Sequence, residues 1–161
     1  ITDKFTFLPL FILIIFFLFK KNGTKGLLVI LLFISALILF TDQFTNVVKD
    51  FTQRLRPCRL DELQGLLRDI DISCGKYGFF SAHAANSISV TIFIINCVDE
   101  SVKKFLKPVL ILWVMIFSYS RIYLGVHYPL DTIFGLAFGI FSGFLFKYIY
   151  NYFISVKVFS D

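Results

Sequence analysis

LDTIFGLAFGIFSGFLFKYIYNYFI, residues 130–154, decides how this chain folds. It carries one carboxylate, Asp131 near its start, and one lysine, Lys147, towards its end. The hydrocarbon core of a bilayer is about 30 Å thick and takes roughly 20 helical residues to cross. Lipid offers no partner to an exposed peptide group, so such a run must be helical. Four more apolar runs precede it. They cover residues 1–19 (broken by Asp3 and Lys4), 26–40, roughly 82–98, and 105–119. The second and fourth are short, and reach spanning length only if their helices run on into polar ends. The reading is an all-α integral-membrane bundle of five transmembrane helices. It forms one domain over 1–161, with an outer loop at about 49–80.

Composition agrees. Of 161 residues, 57% are hydrophobic and 17% charged, with a mean hydropathy of +0.79. Ordinary soluble domains carry about 25% charged residues. The balance excludes disorder and a nucleic-acid-binding tail. The net charge of +5 does not signal nucleic acid here, because the basic residues are scattered between apolar runs as membrane-flanking anchors. The partner they imply is a lipid bilayer. The run at 1–19 reads as a span rather than a signal peptide: it lacks a basic leader and a small-residue cleavage site, and four spans follow.

The connections are unequal. The basic turn at 20–25, the short connection at 99–104, and Lys147 and Lys157 fall on one side of an alternating bundle. The long loop and residues 120–129 fall on the other. Lys and Arg counts tie between the sides, but short loops carry the orienting signal, which puts the long loop outside. Cys58 and Cys74 both lie in that loop, and Cys97 lies in a span. In an oxidising compartment the pair would close a loop of about 15 residues, worth about 3 kcal/mol. The alternative is two free thiols.

Three polar clusters gather at the outer ends of the spans. Lys49 stands seven residues before Arg56-Pro57, nearly two helical turns, which would put both cations on one face. Alone, they read first as a snorkelling anchor. In Gly78–Asn86, Ser81 is placed to cap a helix and leave the Ala82 and His83 amides free for an anion. The bland reading is a cap beside an interfacial histidine. In Ser120–Asp131, Pro129 suits a first helical position and Asp131 the first turn, from which its carboxylate can reach His127. Alone, Asp131 reads as a helix-start stabiliser. Taken together the odds change. The chain has two histidines, and both sit in these clusters. Three fixed cations with helix-end amides suit a tetrahedral phosphate better than a carboxylate.

These residues resemble the membrane-bound type 2 phosphatidic acid phosphatase superfamily. Its signature is K-x6-RP, PSGH and SR-x5-H-x3-D. The chain shows Lys49-x6-Arg56-Pro57, then Phe80-Ser81-Ala82-His83, then Ser120-Arg121-x5-His127-x3-Asp131. Phe80 and Ala82 depart from the second motif. The resemblance implies that Lys49, Arg56 and Arg121 bind phosphate oxygens, with Ser81 and the His83 amide adding hydrogen bonds. It implies that His127 attacks phosphorus to form a phosphohistidine, that Asp131 orients His127, and that His83 protonates the leaving oxygen and then activates water. No metal or other cofactor is expected, because the cations neutralise the charge; Asp69 and Asp71 read as a solvated loop. Membrane members of the family usually have six helices, so a further N-terminal helix would account for the five seen here.

A site at the outer interface suits a lipid phosphate whose tail stays in the bilayer. Undecaprenyl diphosphate, phosphatidic acid, phosphatidylglycerophosphate and lipid A phosphate all fit, with a weak preference for the first. The expected setting is a bacterial inner membrane with the site facing the periplasm. A non-catalytic anionic-lipid-binding or transport protein is the alternative, and the pair His83 and His127 with Asp131 argues against it, since a binder needs only cations. The related vanadate-dependent haloperoxidases are soluble. Leu60, Leu63, Leu67 and Ile70 recur at helical spacing and suggest either a helix lying on the membrane over 60–72 or a solvated loop. Gly135, Gly139 and Gly143 read as close helix packing. The oligomeric state is left open.

Overall fold

A computed structural model describes residues 7–63 and 74–158. Four helices account for most of it: α1 (Leu8–Thr52), α2 (Ala82–Cys97), α3 (Glu100–Tyr123) and α4 (Pro129–Val158). No strand occurs among the described residues.

The 45 residues of α1 are not one rod. Gly23 breaks it with φ 65° and ψ −175°, a backbone conformation that glycine adopts without a Cβ penalty. Phe11 and Asp42 line the same cavity. In a straight helix they would stand roughly 46 Å apart. The chain therefore doubles back at Gly23 into two arms, 8–22 and 24–52, and five helical rods result. The turn is held by its polar residues. Lys21 Nζ donates to the Val98 carbonyl at 2.9 Å, and Asn22 Nδ2 to the Cys97 carbonyl at 3.1 Å. The basic turn thus satisfies carbonyls left open at the end of α2.

The two short apolar runs do continue into polar ends. The second arm of α1 runs on through Thr41 and Asp42 to Thr52, and α3 spans 24 residues, about 36 Å. By length and hydropathy α1, α3 and α4 can each cross a membrane; α2, at 16 residues, is shorter. Outward faces are apolar, as lipid demands: Leu32, Leu39 and Phe141 are exposed. Inside, Leu37, Phe93 and Leu106 are fully buried, and Phe33 stacks on Phe93 at 6.1 Å.

α2 and α4 pack closest. A Cβ at Gly135, Gly139 or Gly143 would lie 2.5, 2.3 and 2.9 Å from the carbonyl oxygens of Ser81, Ala85 and Ser89. Three glycines on one face of α4 therefore let its backbone seat on every fourth residue of α2.

Lys49 and Arg56 do not share a helical face. α1 ends at Thr52 because Gln53 is left-handed (φ 47°), three residues before the restriction that Pro57 imposes. Arg56 comes from a loop instead. Leu55 bridges Tyr77 in antiparallel fashion, and Gly78 N donates to the Arg54 carbonyl at 2.9 Å. Two 3-10 turns follow, Pro57–Arg59 and Asp61–Leu63. Cys58 and Cys74 are joined, with Cα atoms 6.5 Å apart, and Cys97 is free and buried. The rest of the segment 60–72, including Asp69 and Asp71, lies outside the described residues.

Candidate active site

Asp131 is the centre around which the polar residues collect. It sits in the first turn of α4 and is fully buried. Its Oδ2 accepts from the Tyr128 backbone N–H at 2.9 Å and lies 3.5 Å from His127 Nδ1. Its Oδ1 accepts from Arg54 Nη1 at 3.1 Å. Its backbone carbonyl accepts from Ser81 N at 2.9 Å. One residue therefore ties together the second and third motifs and a cation next to the first. The His127 contact is longer than a hydrogen bond, as such pairs often are before substrate arrives.

His127 precedes α4 and is 2% exposed. The turn that carries it is set by Gly125, at φ 64°, and by the Val126 and His127 amides, which both donate to the Arg121 carbonyl at 3.2 Å. Cys58 N donates to the Gly125 carbonyl at 3.0 Å, which ties the outer loop to this turn. Burial pushes the His127 imidazolium down in pKa, partly offset by the Asp131 carboxylate; Arg56 and Lys49 add to the lowering. The ring is therefore neutral at pH 7, and with Nδ1 towards Asp131 the ring lone pair lies on Nε2.

The cations surround this pair. Arg56 Nε donates to the Tyr77 carbonyl at 2.9 Å, and its side chain lies over glycine: a Cβ at Gly78 would come within 3.0 Å of Arg56 Cγ. Arg121, in the last turn of α3, lies 4.7 Å from the Phe117 ring centroid, and its Nε is buried without a hydrogen-bond partner among the described residues. A buried guanidinium N–H of this kind is chemically suited to donate to an anionic oxygen. Lys49 stands in the last turn of α1, within electrostatic reach of Arg56 and Asp131.

Ser81 caps α2: its Oγ accepts from Ala84 N at 3.4 Å, and the side chain is fully buried. The first-turn amides, Ala82 and His83 among them, have no carbonyl within the helix to bond. Phe80, standing where the family motif has proline, is buried and packs 5.2 Å from Phe138. His83 faces a cavity of about 360 Å³ and lies within electrostatic reach of Arg121, His127, Lys49 and Arg56. All seven motif side chains thus belong to one end of the bundle. Among the described residues no group of three or more His, Cys, Asp or Glu side chains is placed to hold a metal ion.

Sequence reasoning missed Arg54. It pairs with Asp131 and lies 4.3 Å over the Tyr128 ring. The only signal was a second arginine two residues before Arg56; that Asp131 would need a partner follows from its burial, which no motif states.

Known proteins resemble this chain in sequence and in fold. A lipid A 4'-phosphatase of Bacteroides thetaiotaomicron is 35% identical over 151 residues, covering 92% of this chain and 66% of that protein. One of Porphyromonas gingivalis is 33% identical, covering 94% of this chain and 64% of that protein. The chain thus spans just under two thirds of the length of both. Among solved structures, a transmembrane PAP2-type phosphatidylglycerolphosphate phosphatase from Bacillus subtilis superposes with a TM-score of 0.66 at 23% identity, over 92% of this chain and 71% of that one. The helical fold of this chain is therefore that of a known transmembrane protein. The model of the PAP2 superfamily matches residues 26–155, from just past the Gly23 reversal almost to the end of α4, and the chain belongs to that family.

Proposed function

We propose that this chain is a phosphatase that hydrolyses a lipid phosphate through a phosphohistidine. The observation that carries the proposal is an imidazole backed by a buried carboxylate, His127 on Asp131, in the same cluster as a buried guanidinium N–H with no acceptor among the described residues, that of Arg121.

Lys49, Arg56 and Arg121 hold the phosphate oxygens, with the Ser81 hydroxyl and the His83 amide adding donors. His127 Nε2 attacks phosphorus, and the bond to the lipid oxygen breaks. His83 delivers a proton to that oxygen, so the lipid leaves as an alcohol. His83 then takes a proton from water, whose oxygen displaces His127 and releases inorganic phosphate. Asp131 stabilises the positive charge that His127 acquires. Phosphoryl transfer depends mostly on positioning and charge neutralisation, which this cluster of cations supplies.

Two relatives carry the name lipid A 4'-phosphatase, which favours a phosphorylated, acylated glucosamine over undecaprenyl diphosphate as substrate. The short basic turn at Gly23 and the Cys58–Cys74 pair favour an inner-membrane setting with the site outside.

The test is phosphate release by purified protein from a panel of lipid A, phosphatidic acid, phosphatidylglycerophosphate and undecaprenyl diphosphate, run with EDTA. His127→Ala should fall by about 10³-fold or more while the protein stays folded in detergent. Near-normal turnover by that variant would remove the nucleophile, and loss in EDTA restored by Mg²⁺ would contradict the metal-free scheme.

A further inference from the structure

Below the histidines lies a charge that the reaction does not use. Asp42 is on the second arm of α1, seven residues before Lys49, hence about 10 Å deeper along the helix. It lines the same cavity as His83, facing Trp113 and Phe117 across mostly apolar walls. Ionisable groups at such depth are costly and mark function by default. Asp42 is also held in place. Its Oδ1 accepts from Asn86 Nδ2 at 2.7 Å, and Thr41 Oγ1 pairs with Asn86 Oδ1. Asn86 lies three residues, about 4.5 Å of helix, below His83. The bond from Asn86 engages Oδ1 of Asp42 and not its Oδ2.

We propose that Asp42, fixed by Asn86, is the specificity residue of the leaving-group subsite, selecting a phosphate monoester of a neutral alcohol that carries a hydroxyl or amide N–H beside the bridging oxygen. This rests on the hydrolytic reading above and deepens it. His83 marks where the leaving oxygen sits, and the cavity beneath it is where the rest of that group must lie. A carboxylate oxygen there accepts a hydrogen bond and donates none. An acylated amino sugar offers both hydroxyl and amide donors. A diphosphate offers a second anion, which the carboxylate repels, and more strongly in an apolar cavity than in water. Sites built to pair a buried polar group reject partners that leave it unpaired.

The chain's single tryptophan, Trp113, lines this cavity and gives a readout that needs no turnover. Wild type, Asp42→Asn and Asp42→Ala in detergent are titrated with a dephosphorylated diacylglucosamine, following Trp113 fluorescence. They are also assayed for kcat/KM on the same lipid bearing a 4-phosphate and on farnesyl diphosphate. Asp42→Ala should weaken the fluorescence Kd and lower the monoester-to-diphosphate ratio about tenfold each. Asp42→Asn, which keeps an acceptor and loses the charge, should raise the relative rate on the diphosphate. An unchanged Kd, or equal losses on both substrates, would reduce the Asp42–Asn86 contact to a tie between helices and overturn the proposal. If wild type releases phosphate from neither lipid while the Kd still depends on Asp42, the subsite stands and the hydrolytic reading falls.

Discussion

At the Gly23 end of the bundle, Lys21 directs its ammonium onto the Val98 carbonyl at 2.9 Å and Lys103 pairs with Glu100 at 2.8 Å. At the opposite end, Arg121 Nε is buried with no acceptor among the described residues, and Lys49 and Arg56 share its surroundings with the buried carboxylate of Asp131, while Asp42 and Asp50 also act on Lys49. Both ends are basic. One uses its cations to close helix ends and anchor at the membrane surface; the other concentrates them and leaves a donor open. Basic residues at a membrane boundary are thus told apart by their partners, not by their number.

The largest expected break in that comparison is Arg121→Ala. Removing a donor aimed at developing phosphate charge should lower kcat/KM about 10²-fold on any lipid phosphate the protein cleaves. A loss under threefold would mean that the open guanidinium is not part of the cradle. Next comes Arg54→Ala, which removes the cation paired with Asp131. It should lower kcat about tenfold with KM little changed, and Arg54→Lys should restore part of it. A rise in KM alone would make Arg54 a substrate contact instead. The outer loop should respond more mildly. Cys58→Ser with Cys74→Ser releases the strap that seats Arg56, and should lower thermal stability by about 2–4 kcal/mol and raise KM severalfold; unchanged melting would separate the loop from the site.

The pH profile sharpens the same contrast. Burial lowers the His127 pKa, so the neutral imidazole persists as pH falls through 6.5, its ordinary value. The acid limb of kcat/KM should therefore lie below pH 6.5, and a limb at 7 or above would mean that Asp131 outweighs burial. The smallest effect belongs to the other end. Lys21→Ala should change kcat/KM by less than about twofold, since an exposed cation bonding one carbonyl contributes little; a large loss would couple the two ends.

Much of this was legible in the residues themselves. Lipid as solvent forces long apolar helices, so residues 130–154 declared α4, and the glycine spacing on that helix declared a close packing face without saying which helix would meet it. Lys49, Arg56, Ser81, His83, Arg121, His127 and Asp131 stood out as a set because their order and spacing match the motifs of the family, and the fold gathers them at one end of the bundle. The common helical face for Lys49 and Arg56 was not right, because a left-handed Gln53 ends α1 early, and nothing in the local composition requires that. Arg54 and Asp42 were out of reach for another reason. Each is defined by a partner 77 or 44 residues away, Asp131 and Asn86 respectively, and such pairings exist only once the rods have packed.

The glycine seam between α2 and α4 has a consequence for inheritance of activity. Ser81 and Asp131 stand at the correct separation only while Gly135, Gly139 and Gly143 keep two backbones nearly touching, the last of them 12 residues from Asp131. A substitution deep in the bilayer, meeting neither substrate nor charge, would spread that gap and silence the chemistry at the surface. Natural variants lacking activity with every motif residue intact should therefore concentrate on this seam.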